Sequence, residues 1–359
     1  MKLVLVIITA FALLFGCPGT GGDEAPEQAE QPAEPTGPAD LTPSAQQNQP
    51  EAVEEEEEEV PEEEQVAEEE EPVEEEEEPE PQAEPRSMSD NIADGEFMIA
   101  DQPAAELKIY VIDAGHADSV LVNKGEFYML MDAGNFAPVN SFLKAKGIDN
   151  LNVVVATRDY SGAINGLESI LDAYQVGEFW ENGASTASAE YSSEYISLLQ
   201  AVETKGITVK HPEAGDRLSV SGLDITILNP QTQRLYSNVD TDAIVMKLSN
   251  NDFCAVLLHP TIYERENALI SSKEDLRCNV ATFFKHGEGR PTGSSVLFDS
   301  YIKPRDVIIS VGENDDELPQ PTTITWLGLR DISIWRTDAD GTVMVSSDGI
   351  NPYTISGGN

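Results

Sequence analysis

The sequence predicts a mixed α/β fold, a four-layer αββα sandwich in which helices cover two packed sheets. Two observations predict it. Past residue 102, strand-like apolar runs follow one another at the start of each half of the chain and alternate with helical patterns later in each half. The 257 residues from 103 to 359 are also enough to build a large core. Sheets and helices with one apolar face must bury it against another layer, and helices over two stacked sheets do so with the fewest exposed faces. No internal repeat is visible in this region.

The elements read in order. ELKIYVID, ADSVLVN and FYMLMDAG give three consecutive strands, the first two alternating and the third more continuously apolar. Ala137 to Lys146 reads as a helix, and LNVVVAT as a buried strand. From Asn165 to Gln175, Leu167, Ile170, Leu171 and Tyr174 recur at helical spacing, and Tyr195, Leu198, Leu199 and Val202 repeat that period between Glu190 and Thr204. A second β-rich run follows: DRLSV, LDITILNP, AIVMKLS and DFCAVLLH. The remainder alternates: helix TIYERENALISS, strand NVATFFKH, helix SSVLFDSYI, strand RDVIISVG, helix TTITWLGLR, then strands ISIWRT and TVMVSSDG.

The N-terminal part is different in kind. Residues 1–102 hold 31 of the 66 acidic groups against Lys2 and Arg86 alone, leaving −16 of the formal −45 on the rest. Leu3 to Phe15 is an apolar run that would rise about 20 Å as a helix, short of a ~30 Å bilayer core. That length fits the h-region of a signal peptide. Leu14-Phe15-Gly16-Cys17 resembles a lipobox, with Phe15 unusual for that signal. The resemblance implies a signal peptide over 1–17, cleavage before Cys17 and lipidation of its thiol; an ordinary signal peptide or weak anchor is the alternative. Both put the bulk of the chain outside the cytoplasm. Residues 18–102 are dominated by Glu, Pro, Ala, Gln and Gly, with six consecutive glutamates from Glu54 to Glu59. Like charges repel and proline removes helix donors, so a disordered linker is expected. The acidic balance disfavours direct nucleic-acid binding.

Within 103–359, several stretches resemble, in order, the ComEC-type metallo-β-lactamase domain, the extracytoplasmic domain of DNA-uptake competence proteins. Tyr110–Val122, YVIDAGHADSVLV, is similar to that family's FIDVGQGDSILI, and Leu130–Asn135, LMDAGN, to its LIDAG turn. Ala255–Pro260 stands at its LLTGD and Phe284–Gly289 at its HHGS. Ile308–Asp315 is similar to its ISVGxNxYGHP stretch, and Trp335–Val343 to its RTDxDG finish. The resemblance implies the metallo-β-lactamase fold and a hydrolase ancestry with two metal ions.

The motif that should hold those ions departs from the family. Members carry T-H-x-H-x-D-H-x-G-G after the fourth strand; here the stretch is TRDYSGAING. The histidines fall on Arg158, Tyr160 and Ala163, and the aspartate on Gly162. Further ligand positions fall on Thr261, Lys285 and Leu318. Two-metal sites need imidazole and carboxylate donors; charged Arg and Lys repel a cation, and Gly, Ala and Leu offer no donor. Asp113, Gly115, Asp118, Asp132, Gly134, Gly312 and Asn314 keep their family places, where they can brace turns. The expectation is a non-catalytic binding protein with no cofactor.

The alternative is a metal-dependent hydrolase, phosphodiesterase-like, with one Zn or Mn on a rearranged site of His116, His259 and His286, helped by Asp118 or Asp159; ordinary polar roles for these histidines are the simpler reading. Arg158, Lys285 and Arg290, with Tyr160 donating and His286 nearby, are candidates for binding a small anion; the alternative pairs Arg158 with Asp159 or another acid in the space metals would fill. Asp315, Asp316 and Glu317 can face Ca²⁺ or solvent. Cys254 and Cys278, the thiols left once Cys17 is lipidated, are a candidate disulfide outside the cytoplasm. The expected partners are the membrane, through the lipid anchor, and a small anion or an envelope protein.

Overall fold

The computed structural model describes residues 104–183, 192–232, 241–259, 263–272, 274–283, 285–288 and 297–358. Cys17, the segments 1–17 and 18–102, Thr261 and Arg290 lie outside the described residues. Among those described, no helix is long and apolar enough to cross a membrane.

Two sheets form the centre. The first runs β15-β14-β1-β2-β3-β4-β5-β6 and the second β13-β12-β11-β10-β9-β8-β7. In the first sheet β1 (Leu107–Val111), β2 (Val120–Lys124) and β3 (Phe127–Met131) pair antiparallel. From β3 the pairing turns parallel through β4 (Asn150–Ala156), β5 (Gln175–Glu181) and β6 (Thr208–Lys210). Parallel neighbours need crossovers. Helix α1 (Phe136–Ala145) supplies the first, α2 (Ser161–Ile164) and α3 (Leu167–Ala173) the second, and α4 (Ser193–Lys205) the third.

The second sheet repeats the plan. β7 (Arg217–Val220), β8 (Leu223–Asn229), β9 (Val245–Asn250) and β10 (Phe253–Leu257) are antiparallel. β10, β11 (Val280–Phe283), β12 (Asp306–Ile309) and β13 (Ser333–Arg336) are parallel. The crossovers contain α5 (Tyr263–Ser271), a π-type turn at Leu297–Ile302 and the helix Pro321–Gly328. β14 (Thr342–Ser347) returns to pair with β1, and β15 (Thr354–Gly358) closes that edge.

Burial confirms four layers. Ile109, Val122, Met129 and Val153 of the first sheet share one core with Ile225, Met246, Ala255 and Ile308 of the second. A second core fixes α1, α3 and α4 to the outer face of the first sheet through Val139, Leu143, Ile170, Leu198 and Val202. A third sets Leu269, Trp326 and Leu327 against the second sheet. This is the metallo-β-lactamase sandwich.

Three local expectations need correction. The helix expected over Asn165–Gln175 ends at Ala173, and Gln175 opens β5. That strand is hard to read because Glu178 and Glu181 are buried within it, held by Trp180 Nε1 and by the Tyr195 hydroxyl, each at 2.8 Å. The strand expected over NVATFFKH stops at Phe283, and Lys285 and His286 then turn at φ 49° and 50°. The helix expected over SSVLFDSYI is one π-type turn from Leu297.

Candidate functional site

The ends of β3 and β4 and the loop before β2 converge at one mouth of the sandwich. Backbone hydrogen bonds stitch the three turns: Asp118 N–H donates to Gly162 O at 2.7 Å, Ala133 N–H to Ala163 O at 2.8 Å, and Gly166 N–H to Ala133 O at 2.7 Å. The approach is close enough that a Cβ on Gly134 would stand 1.8 Å from Gly162 O. The retained glycine is therefore steric. Gly312 does the same opposite, where a Cβ would meet Gly115 C at 2.3 Å and His116 N at 2.4 Å.

Asp132 sits at the centre, fully buried with φ 58°. Thr157 donates to it twice, from N–H to Oδ1 at 2.9 Å and from Oγ1 to Oδ2 at 2.6 Å. Burial pushes its carboxyl up to about 7, and the nearby Asp118 charge adds to the rise.

Arg158, first side chain of the altered motif, is only 2% exposed. It donates from Nη2 to Asp118 Oδ2 at 3.2 Å and from Nη1 to His259 Nδ1 at 3.0 Å. The Tyr160 ring packs on it, 4.8 Å from ring centroid to guanidinium carbon. Guanidinium only donates, so His259 Nδ1 carries a lone pair and its proton is on Nε2. Burial, with the Arg158 charge beside it, lowers this imidazole to about 3. The 3.9 Å approach of His259 Nδ1 to Asp132 Oδ2 is thus not an ion pair at neutral pH.

Sequence reasoning offered Asp159 or another nearby acid as the partner of Arg158; the structure chooses Asp118. Asp159 instead accepts from Ser192, through its N–H at 2.7 Å and through its hydroxyl, ahead of α4. Of the cationic anion-binding candidates, Arg158 and Lys285 are among the described residues and differ in exposure. Arg158 is turned inward, while Lys285 is exposed with Nζ 4.0 Å from Glu288. Asp118, Asp132, His259, Lys285 and Ser310 help line a cavity of about 20 Å³, room for one water-sized occupant.

Asp118 lies between two of the three expected histidines, with His286 Nδ1 3.8 Å from its Oδ1 and His259 on its other side. His259 joins Asp118 and Asp132: among the described residues these three each offer a donor atom within 4.8 Å of the others. His116 and His286 form their own pair, with ring centroids 4.1 Å apart. His286 Nδ1 donates to Ser310 O at 2.7 Å, and its Nε2 is buried. Burial, and then the adjacent His286, lower His116 from its ordinary range, while Asp118 and Asp316 oppose the shift.

Three further motif positions, Gly162, Ala163 and Leu318, make packing or backbone contacts. Ala163 is buried in α2, and Gly162 leaves room for the Tyr160 ring, which a Cβ would meet at 2.4 Å. Leu318 exchanges hydrogen bonds with Asn314, donating N–H at 2.9 Å and accepting at 3.0 Å. Asp315, Asp316 and Glu317 are exposed. Cys254 and Cys278 are joined as a disulfide with Cα atoms 5.0 Å apart. The sequence reading missed the part of Ser310, which links the turn after β12 to the loop before β2 by donating to Ala117 O at 2.8 Å; a serine in IISVG gives no signal of that contact.

No protein-family model matches the chain, and no curated relative matches it by sequence. Solved structures similar to it include Tm1679, a metal-dependent hydrolase of the β-lactamase superfamily, at 14% identity and TM-score 0.45, covering 67% of this chain and 100% of that one. The metallo-β-lactamase fold protein YhfI from Bacillus subtilis matches at 11% identity and TM-score 0.41, covering 68% and 100%. CmlA, a diiron β-hydroxylase from Streptomyces venezuelae, matches at 11% and 0.43 over 68% of this chain, which spans 54% of CmlA. At these values the fold of this chain rests on its own layers and strand order.

Proposed function

We propose that this protein is an envelope lipoprotein whose metallo-β-lactamase-fold unit, of the ComEC type, is a non-catalytic binding module. One observation carries the reading: a buried guanidinium lies among the side chains that would have to ligate a metal. As arranged, these donors do not fit a divalent ion. The His259 lone pair and Asp118 Oδ2 are both engaged by Arg158. A second positive charge in that space would be repelled.

The wider reading has separate supports. The apolar leader ending in Cys17 supports membrane attachment, and residues 18–102 would act as a spacer between lipid and folded unit. The Cys254–Cys278 disulfide fits an oxidising compartment. With Arg158 turned inward, an envelope protein is favoured as partner over a small anion.

The test combines metal analysis of the purified protein with a phosphodiesterase assay in added Zn²⁺ or Mn²⁺. No tightly held ion and no turnover above the buffer rate are expected. About one or two ions per chain together with hydrolysis would overturn the reading, in favour of the hydrolase. Cys17→Ala should release the protein from the membrane fraction; unchanged partitioning would remove the lipoprotein part alone.

A further inference from the structure

Asp118, Asp132 and His259 come from the loop before β2, the end of β3 and the end of β10, and they meet only because both sheets open at this mouth. Their donor atoms lie within 4.8 Å of one another. An ion bonded to each at about 2.0–2.2 Å needs donors at most ~4.4 Å apart, a closure of a few tenths of an ångström. His259 already presents a bare Nδ1, and the Arg158 guanidinium faces both it and Asp118 Oδ2. The water-sized cavity touches all three donors.

We infer that Arg158 is a built-in counter-cation occupying a latent site for one divalent transition metal, and that removing its guanidinium makes the protein metal-binding. The inference rests on the reading that the native mouth works without metal. Two carboxylates and one imidazole suit Mn²⁺, Fe²⁺ or Zn²⁺; Ca²⁺ would require six to eight oxygens. Without the guanidinium, two acidic groups share a small cavity whose other charged lining residue is the exposed Lys285, and a bound cation offsets them. The set is not the one the parent motif would use, because the motif positions themselves hold Arg158, Tyr160, Gly162 and Ala163.

The experiment compares chelator-treated full-length wild type, Arg158→Ala and Arg158→Ala/Asp118→Asn by calorimetric titration and thermal midpoint with MnCl₂ and ZnCl₂. Arg158→Ala should take one ion and gain about 5 °C or more at ion concentrations ~100-fold above its dissociation constant. Wild type should gain no such shift, and the double variant should lose at least ten-fold in affinity. Arg158→Gln, which keeps much of the stem and leaves the guanidinium position vacant, is measured alongside in case the alanine variant does not fold. Folding of Arg158→Ala only in the presence of ion also supports the inference. No ion taken by either single variant, or equal affinity in the double variant, overturns it. Wild type that binds two ions and hydrolyses phosphodiesters would instead overturn the functional reading, so the two failures are distinguishable.

Discussion

Among the described residues one lysine and one arginine are buried, and they are solvated in different ways. Lys124, at the end of β2 and 0% exposed, reaches across to the second sheet at the end remote from the mouth. Its Nζ donates to two neutral oxygens, Ala105 O at 2.6 Å and Asn250 Oδ1 at 3.0 Å, and burial lowers it from the usual lysine range. Arg158 also spans the sheets, but its partners are a carboxylate and a deprotonated imidazole nitrogen. Neutral oxygens replace the water an ammonium has lost and no more. A carboxylate must have its charge answered. Lys124 is thus a fastener, whereas Arg158 neutralises a site.

That contrast makes its largest prediction at Arg158. Arg158→Ala without metal should destabilise by about 3–5 kcal/mol, because Asp118 is left facing a partly buried mouth unanswered. Denaturant unfolding measures it, and a loss below that for Lys124 would break the comparison. Next, replacing Cys254 and Cys278 by Ala should cost about 3 kcal/mol, from the 24-residue separation the bridge closes. This link lies within the second sheet, so its cost should be insensitive to salt and additive with that at Lys124.

A pH series sharpens the comparison further. Asp132 is raised to about 7, so it favours the fold below its unfolded value and loses that contribution as pH rises towards 7. His259 is lowered to about 3, so its contribution is present above about 6.5 and is lost as pH falls towards 3. Between about pH 4 and 6.5 the slopes oppose and nearly cancel. Asp132→Asn should uncover the histidine, with stability falling by about 1 kcal/mol per pH unit on acidification through that window. A flat profile in the variant would mean that His259 is not held neutral. The smallest effect is expected at Lys124→Met, about 1 kcal/mol, since lost hydrogen bonds are partly offset by relief from burying an ammonium.

The fold was legible because its strands are apolar runs long enough to stand out. KIYV, LNVVVA and DVII are buried nearly throughout, and composition alone marks such strands. β5, β6 and β15 were missed for physical reasons. β5 contains two buried glutamates, β6 is three residues long, and β15 is an exposed edge reading TISGG. At the site, the residue types of TRDYSGAING were legible one by one, whereas the arrangement of their side chains was not. Asp118 and Arg158 are 40 positions apart, and Arg158 and His259 are 101. The nearest acid, Asp159, was an obvious partner and was taken by Ser192.

By itself the sequence determined the layers, the acidic composition of residues 1–102 and the absence of histidine from the fourth-strand turn, because apolar period and residue chemistry are local properties. Only the tertiary structure decided where the guanidinium points, that His259 meets Arg158 while His116 stacks on His286, and which aspartate is desolvated. Those outcomes depend on how two sheets meet at one mouth, and burial there, not residue type, sets which charges must be answered and by what.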